Sequence, residues 1–154
     1  DAVADSIRSY RADNGAGEHL LFSFHGLPQR LIDEGDPYQR HCIAGARAIA
    51  HRLDLPDDAW SVSYQSRFGR DRWLEPGPQQ TLPPLAARGV RKVDVVAPGF
   101  AVDCIETLEE VAMMLAQDLA AHGGTLRYIP CLNDTRPHAL ALAGIARHEL
   151  KNWI

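Results

Sequence analysis

Apolar positions along this chain change period repeatedly, and each change marks an element. Residues 2–12 have helical character and run into Asn14-Gly15, a helix stop signal. Residues 20–24 form a short apolar run of strand type, followed by a Gly- and Pro-rich loop over residues 25–37. Residues 38–53 carry Cys42, Ile43, Ala46, Ile49, Ala50 and Leu53 on one helical stripe. Residues 60–65, WSVSYQ, alternate as a strand does, and a long loop over residues 66–80 follows. A short helix is expected over residues 81–88, because Pro83 and Pro84 fit a first turn; Gly89 closes it. Residues 92–97, KVDVVA, are the most strand-like stretch. Residues 105–122 repeat apolar side chains in steps of three and four at Ile105, Leu108, Val111, Ala112, Leu115 and Leu119, and Gly123-Gly124 ends that helix. A strand over residues 125–129 and a helix over residues 136–151 complete the pattern.

Four strands separated by helices predict a parallel α/β sheet, because every parallel strand needs a crossover. The expected fold class is α/β: three layers, with a four-stranded parallel sheet between flanking helices. Right-handed crossovers place the loops after the strands along one edge, where ligands of open sheets bind. The segments that matter for chemistry therefore follow Phe24, Gln65, Ala97 and Ile129.

Composition narrows the class without changing the fold. The chain has 154 residues, 45% hydrophobic and 23% charged, as expected of one globular domain and unlike a disordered or collagenous chain. Sixteen basic and twenty acidic residues give a formal charge of −4, so no general grip on nucleic acid or anionic lipid follows. No apolar stretch approaches the ~20 residues needed to span a bilayer, and any membrane contact is expected to be peripheral. Cys42, Cys104 and Cys131 form no C-x-x-C pair. Three thiols fit a reducing, cytoplasmic setting, with at least two of them buried as small hydrophobes. The chain opens on Asp1, with no initiator Met and no signal segment, so either something upstream was removed or the chain is an excised piece of a larger protein.

Three strand ends carry candidate chemistry. His25 follows the first strand directly, and Gly26 beside it permits close approach of a ligand; the same position also suits a histidine satisfied within the protein. After the second strand, Gln65, Ser66, Arg67, Phe68 and Trp73 mix hydrogen-bonding and large apolar groups, as pocket walls do. After the third, Asp103 with Glu106 has the spacing of a capping box, and Glu106 and Glu110 share a helix face in a pairing that suits a cation. The G-x-S-x-G elbow, the P-loop and G-x-G-x-x-G are all missing, which lowers the case for hydrolase, NTPase and NAD chemistry.

These loops resemble a known family. The stretches SFHGLPQRLIDEGDPYQRHC (residues 23–42), YQSRFGRDRWLEP (64–76), APGFAVDCIETLEE (97–110) and YIPCLND (128–134) closely resemble the C-terminal half of ferrochelatase, the last enzyme of haem synthesis. The resemblance implies a chelatase-like domain over residues 1–154 that is one half of a two-domain enzyme, its N-terminal domain absent. It implies insertion of ferrous iron into a porphyrin, protoporphyrin IX or a coproporphyrin, with release of two pyrrole protons. His25 matches the family's essential histidine, Glu106 its essential glutamate and Glu110 a further acid on the same helix. His25, Glu106 and, more weakly, Glu110 are thus the expected metal-handling residues. Gly26, Leu27, Gln65, Ser66, Trp73 and Phe100 are the candidate porphyrin contacts. Some members carry a third acid where this chain has Met114, which puts an extended acidic ridge in doubt. No permanently bound cofactor and no iron–sulfur cluster is expected; iron enters as substrate. The expected partners are the porphyrin and the missing N-terminal domain.

Two rival readings share the fold. One is a stand-alone small chelatase acting on cobalt or nickel as a homodimer. The other is a porphyrin- or metal-binding module without turnover.

Overall fold

The computed structural model of the chain describes residues 2–151 and 153. Four strands, β1 (His19–His25), β2 (Trp60–Gln65), β3 (Lys92–Val96) and β4 (Thr125–Ile129), lie in one parallel sheet in the order β2-β1-β3-β4. The chain thus leaves β1 toward one edge and returns to its other side, which puts a topological switch point between β1 and β3. Register sets His25 beside Gln65 and Phe22 beside Val96.

Both faces of the sheet are covered, which is why its central strands are largely apolar, with Ser23 of β1 and Asp94 of β3 among the buried polar exceptions within them. Helices α1 (Ala2–Asn14) and α3 (Tyr38–Arg52) cover one face, where Ile7, Cys42, Ala46 and Ala50 pack on Leu20, Phe22 and Phe24. On the other face, α4 (Pro78–Ala87), a π-helical segment (Glu106–Leu115) and its continuation α5 (Ala116–Ala121) pack Leu82, Leu85, Val111, Leu115 and Leu119 on Leu21, Val93 and Val95. Helix α6 (Arg136–Leu150) lies beside α1 and buries only His138. The three-layer α/β class is as expected. Cys42 and Cys131 are buried, and all three thiols are free.

Four local expectations are corrected. The loop over residues 25–37 contains a short helix, α2 (Gln29–Asp33). Helix α4 begins at Pro78, so Pro83 and Pro84 occupy its second turn. The early start is secured by the Gln80 side chain, which accepts from the Gly77 N–H at 2.7 Å, and by Thr81 Oγ1 donating to the Gly77 carbonyl at 3.0 Å. The carbonyls those prolines leave unpaired belong to exposed Gln79 and Gln80, within reach of water. The stripe proposed from Ile105 fails at its start, since Ile105 is 67% and Leu108 49% exposed. Thr107, Val111, Leu115 and Leu119 are buried instead. The wider π turn, with i→i+5 bonds, brings every fourth residue to one side and rotates residues 105 and 108 away. Lastly, Asp103 does not form a capping box with Glu106. Its carboxylate accepts from Tyr128 Oη at 2.6 Å, Asn133 Nδ2 at 2.8 Å and the Cys131 N–H at 3.2 Å. Thr107 Oγ1 takes the Cys104 N–H at 2.9 Å.

Asp94 is fully buried on β3 and is held from two elements. Arg11 Nε of α1 reaches Oδ2 at 2.7 Å, Arg127 of β4 grips Oδ1, and the Gly17 N–H donates to Oδ2 at 2.9 Å. A Cβ on Gly17 would lie 2.7 Å from the Asp94 Cγ, so glycine is required there.

His19 opens β1 with its Nε2 2.8 Å from Ser61 Oγ. Burial, aided by the nearby charge of Arg88, pushes its pKa down to about 4. Between that value and the usual 6.5, the unfolded chain binds a proton that the folded chain refuses. The resulting stability is complete above pH 6.5 and lost as pH falls toward 4. The loss expected is on the order of 2 kcal/mol, allowing for solvent screening. Urea unfolding at pH 7 and pH 4.5 checks this, and His19→Asn flattens that part of the profile.

Candidate functional site

The switch point collects the residues of interest. His25 is the last residue of β1 and is partly exposed. Its Nδ1 lies 2.7 Å from the Gly26 carbonyl. A carbonyl only accepts, so Nδ1 carries the hydrogen and Nε2 keeps its lone pair for a proton or a metal. Tyr38 of α3 donates to the His25 carbonyl at 2.8 Å, pinning the backbone from behind.

Three aromatic rings surround the imidazole. Phe68 is stacked at 6.3 Å between centroids, with Trp73 and Phe100 each at 6.4 Å. Phe100 stands in the turn after β3, closed by its N–H to the Ala97 carbonyl at 3.0 Å. Trp73 is held by Nε1 donating to the Phe68 carbonyl at 2.9 Å. The long loop carrying both Phe68 and Trp73 folds back as an extra ribbon. Trp73 bridges Pro28 in antiparallel fashion, with Gln29 N–H to Arg72 at 2.8 Å and Leu74 N–H to Leu27 at 2.9 Å. Leu27 is partly buried against the core. Gly26 is enclosed by this packing: a Cβ there would lie 2.9 Å from the Gln65 carbonyl and 3.2 Å from the Trp73 ring.

The carboxylates of Glu106 and Glu110 stand on the π segment. A hydrogen bond from the Cys104 thiol, then Glu106's own backbone N–H, hold the Glu106 carboxyl below the usual carboxylate range, and the charge of His25 adds to this. Glu106 therefore lies within electrostatic reach of His25. Glu110 is engaged separately, its Oε2 accepting from Ser66 Oγ at 2.6 Å. Beside it opens a cavity of about 440 Å³ bordered by Ser66, Arg67, Glu109, Glu110 and Met114. Met114 is half exposed there, so the cavity's acidity comes from Glu109 and Glu110.

Gln65 and Ser66 are buried. Gln65 bonds to Ser23 and Glu106, and Ser66 to Glu110, so their polar side-chain atoms face the protein. Phe68, expected only as part of a pocket wall, stacks on the imidazole itself. Cys104 is the contributor to which sequence reasoning assigned no role, and the available signal was its place two residues before Glu106. Among the described residues, no group of three or more His, Cys, Asp and Glu side chains stands together as a metal site.

An open parallel sheet with an imidazole, three aromatic rings and carboxylates at its switch point defines a ligand-handling α/β domain. The ferrochelatase family model matches residues 1–150. Similar proteins include the ferrochelatase of Stenotrophomonas maltophilia, 58% identical over 146 residues, covering 95% of this chain and 46% of that protein. That of Xylella fastidiosa is 54% identical over 149 residues, covering 97% and 47%. That of Aromatoleum aromaticum is 45% identical over 154 residues, covering 99% and 42%. The chain belongs to the ferrochelatase family and spans about half the length of the curated relatives it matches.

Proposed function

We propose that this chain is the catalytic half of a ferrochelatase that inserts ferrous iron into a porphyrin, protoporphyrin IX, to give haem and two protons. The observation that carries the reading is an ionised Glu106 within electrostatic reach of His25, whose Nε2 is free. Neutral imidazole accepts a pyrrole proton as the metal enters. A carboxylate held below its usual range is a weak base and a good cation ligand, so Glu106 holds iron or balances the charge of protonated His25. An N/O ligand pair binds a borderline divalent metal and still releases it. Phe68, Trp73 and Phe100 offer flat apolar faces to a macrocycle, with Gly26 and Leu27 at its rim.

The rest of the relatives' length supports a second domain as the opposite wall of the crevice. Apolar side chains left exposed on α6 and the π segment, including Leu142, Ile145, Leu108 and Met113, fit burial against such a domain better than against water. The relatives' double length also favours this reading over a stand-alone homodimer. No helix among the described residues is long and apolar enough to cross a membrane. Three unpaired thiols support a reducing, cytoplasmic setting.

The test is iron insertion by the full-length protein, followed by loss of porphyrin fluorescence and gain of haem absorbance. Porphyrin binding without metallation would leave only a binding module. Within that assay, Glu106→Gln is expected to lower turnover on the order of 10²-fold, and Glu110→Gln roughly tenfold or less. The difference arises because Glu106 couples to His25, whereas Glu110 is bonded to Ser66. The reverse order would count against the assigned roles.

A further inference from the structure

Gln65 is 3% exposed at the end of β2, where a primary amide is costly unless every polar atom is bonded. Its Nε2 lies 2.7 Å from the Glu106 carbonyl, and its Oε1 2.5 Å from Ser23 Oγ. The Glu106 carbonyl only accepts, so the amide nitrogen must face it. The amide oxygen is then left to Ser23, whose hydroxyl donates. The main chain of the same residue accepts the Gly26 N–H at 2.7 Å and lies in register beside His25. One residue is thus bonded to the turn that follows His25 and to the turn that carries Glu106.

The π segment has no side-chain cap bond of its own at its start. Beyond the local Thr107–Cys104 bond and the burial of Thr107 and Val111, the position of its first turn relative to β1 depends on bonds arriving from other elements. Gln65 supplies one to the backbone of Glu106, and the next residue, Ser66, supplies one to the carboxylate of Glu110. Ser66 does so from a left-handed backbone conformation, φ 61°, which a non-glycine residue keeps only when its surroundings enforce it.

We infer that Gln65 is a positioning residue that sets the separation of His25 and Glu106, and that it does not contact the porphyrin. This rests on the proposed role of those two residues. A shift of ~1 Å between reacting groups costs turnover on the order of 10²-fold, while an untouched porphyrin wall keeps its affinity.

The experiment uses the full-length enzyme with Gln65→Met, Gln65→Glu and Ser23→Ala. Gln65→Met keeps the length and loses both amide bonds. Gln65→Glu keeps an acceptor for Ser23 and loses the donor to Glu106. Ser23→Ala keeps the donor and frees the amide to rotate, so it remains informative if either Gln65 variant fails to fold. The expected result is a kcat lowered roughly 10- to 100-fold in both Gln65 variants and less in Ser23→Ala. Porphyrin Kd, read by fluorescence titration without metal, stays within about twofold in all three, a split that a general loss of structure does not produce. Two results overturn the inference: folded Gln65 variants with wild-type kcat, or a loss confined to porphyrin affinity. For Ser23→Ala alone, a kcat above wild type would overturn it. A wild-type enzyme that binds porphyrin without metallating it defeats the proposed function instead, before the variants are compared.

Discussion

Replacing His25 with alanine is expected to abolish iron insertion by the full-length enzyme, lowering turnover by at least about 10²–10⁴-fold, while the domain stays folded. The loss is large because no neighbour can substitute. The rings around the imidazole are Phe68, Trp73 and Phe100, none of which is a base at neutral pH. Ionised Glu106 is a weaker base than imidazole. The fold survives because the His25 side chain is partly exposed, and its ring's hydrogen bond among the described residues goes to the adjacent Gly26 carbonyl. The bond from Tyr38 goes to the His25 main chain, which alanine retains. A variant with a wild-type circular dichroism melt and a wild-type insertion rate would remove His25 from the chemistry.

Asp94→Ala is expected to have the largest effect on stability, roughly 3–5 kcal/mol. The substitution leaves Arg11 and Arg127, with side chains only 14% and 15% exposed, as cations without their shared carboxylate. It also removes the acceptor of the Gly17 N–H, just before β1. For a domain of this size the melting temperature should fall by about 10 °C or more. Asp94→Asn, which keeps an acceptor and the shape, should lose less. Thermal melts at neutral pH measure both, and a change under 2 °C for Asp94→Ala would show that the cluster contributes little. The desolvation cost of burying three charges offsets most of their attraction, so the penalty comes chiefly from stranding the arginines.

Much of this fold is legible in the sequence because apolar periodicity reports burial on a sheet covered on both faces. All four strands lie within a residue or so of their expected positions, and β2 and β4 match at both ends. The crossover rule then placed His25 and Glu106 at the same edge. The strand order was not legible, since each strand pattern is compatible with several neighbours. The π segment was missed for a related reason. Ile105 and Leu108 continue an α-helical stripe in the sequence, and only the wider turn reveals Thr107 as the buried residue. Pro83 and Pro84 pointed to a helix start because the capping role of Gln80 precedes any apolar signal. The ribbon of Trp73 against Pro28 depends on backbone bonds that residue types do not encode. Asp103 was read through local spacing, while its actual partners, Tyr128, Cys131 and Asn133, lie 25 or more residues away.

The Asp94 cluster and the candidate site lie toward opposite ends of the same sheet. Asp94 pairs in register with Leu20, five residues before His25 on β1, a run of roughly 16 Å at strand rise. The two regions share no hydrogen-bond partner in the interactions described above. Changes this far apart tend to add rather than interact. For directed evolution, this arrangement makes the amino end a reservoir of robustness. Gains made there, by improved packing around Arg11 or Arg127, can be drawn on to tolerate destabilising substitutions at the crevice that alter metal or macrocycle preference. The domain thereby separates the part of its sequence that keeps it standing from the part that is free to drift toward new chemistry.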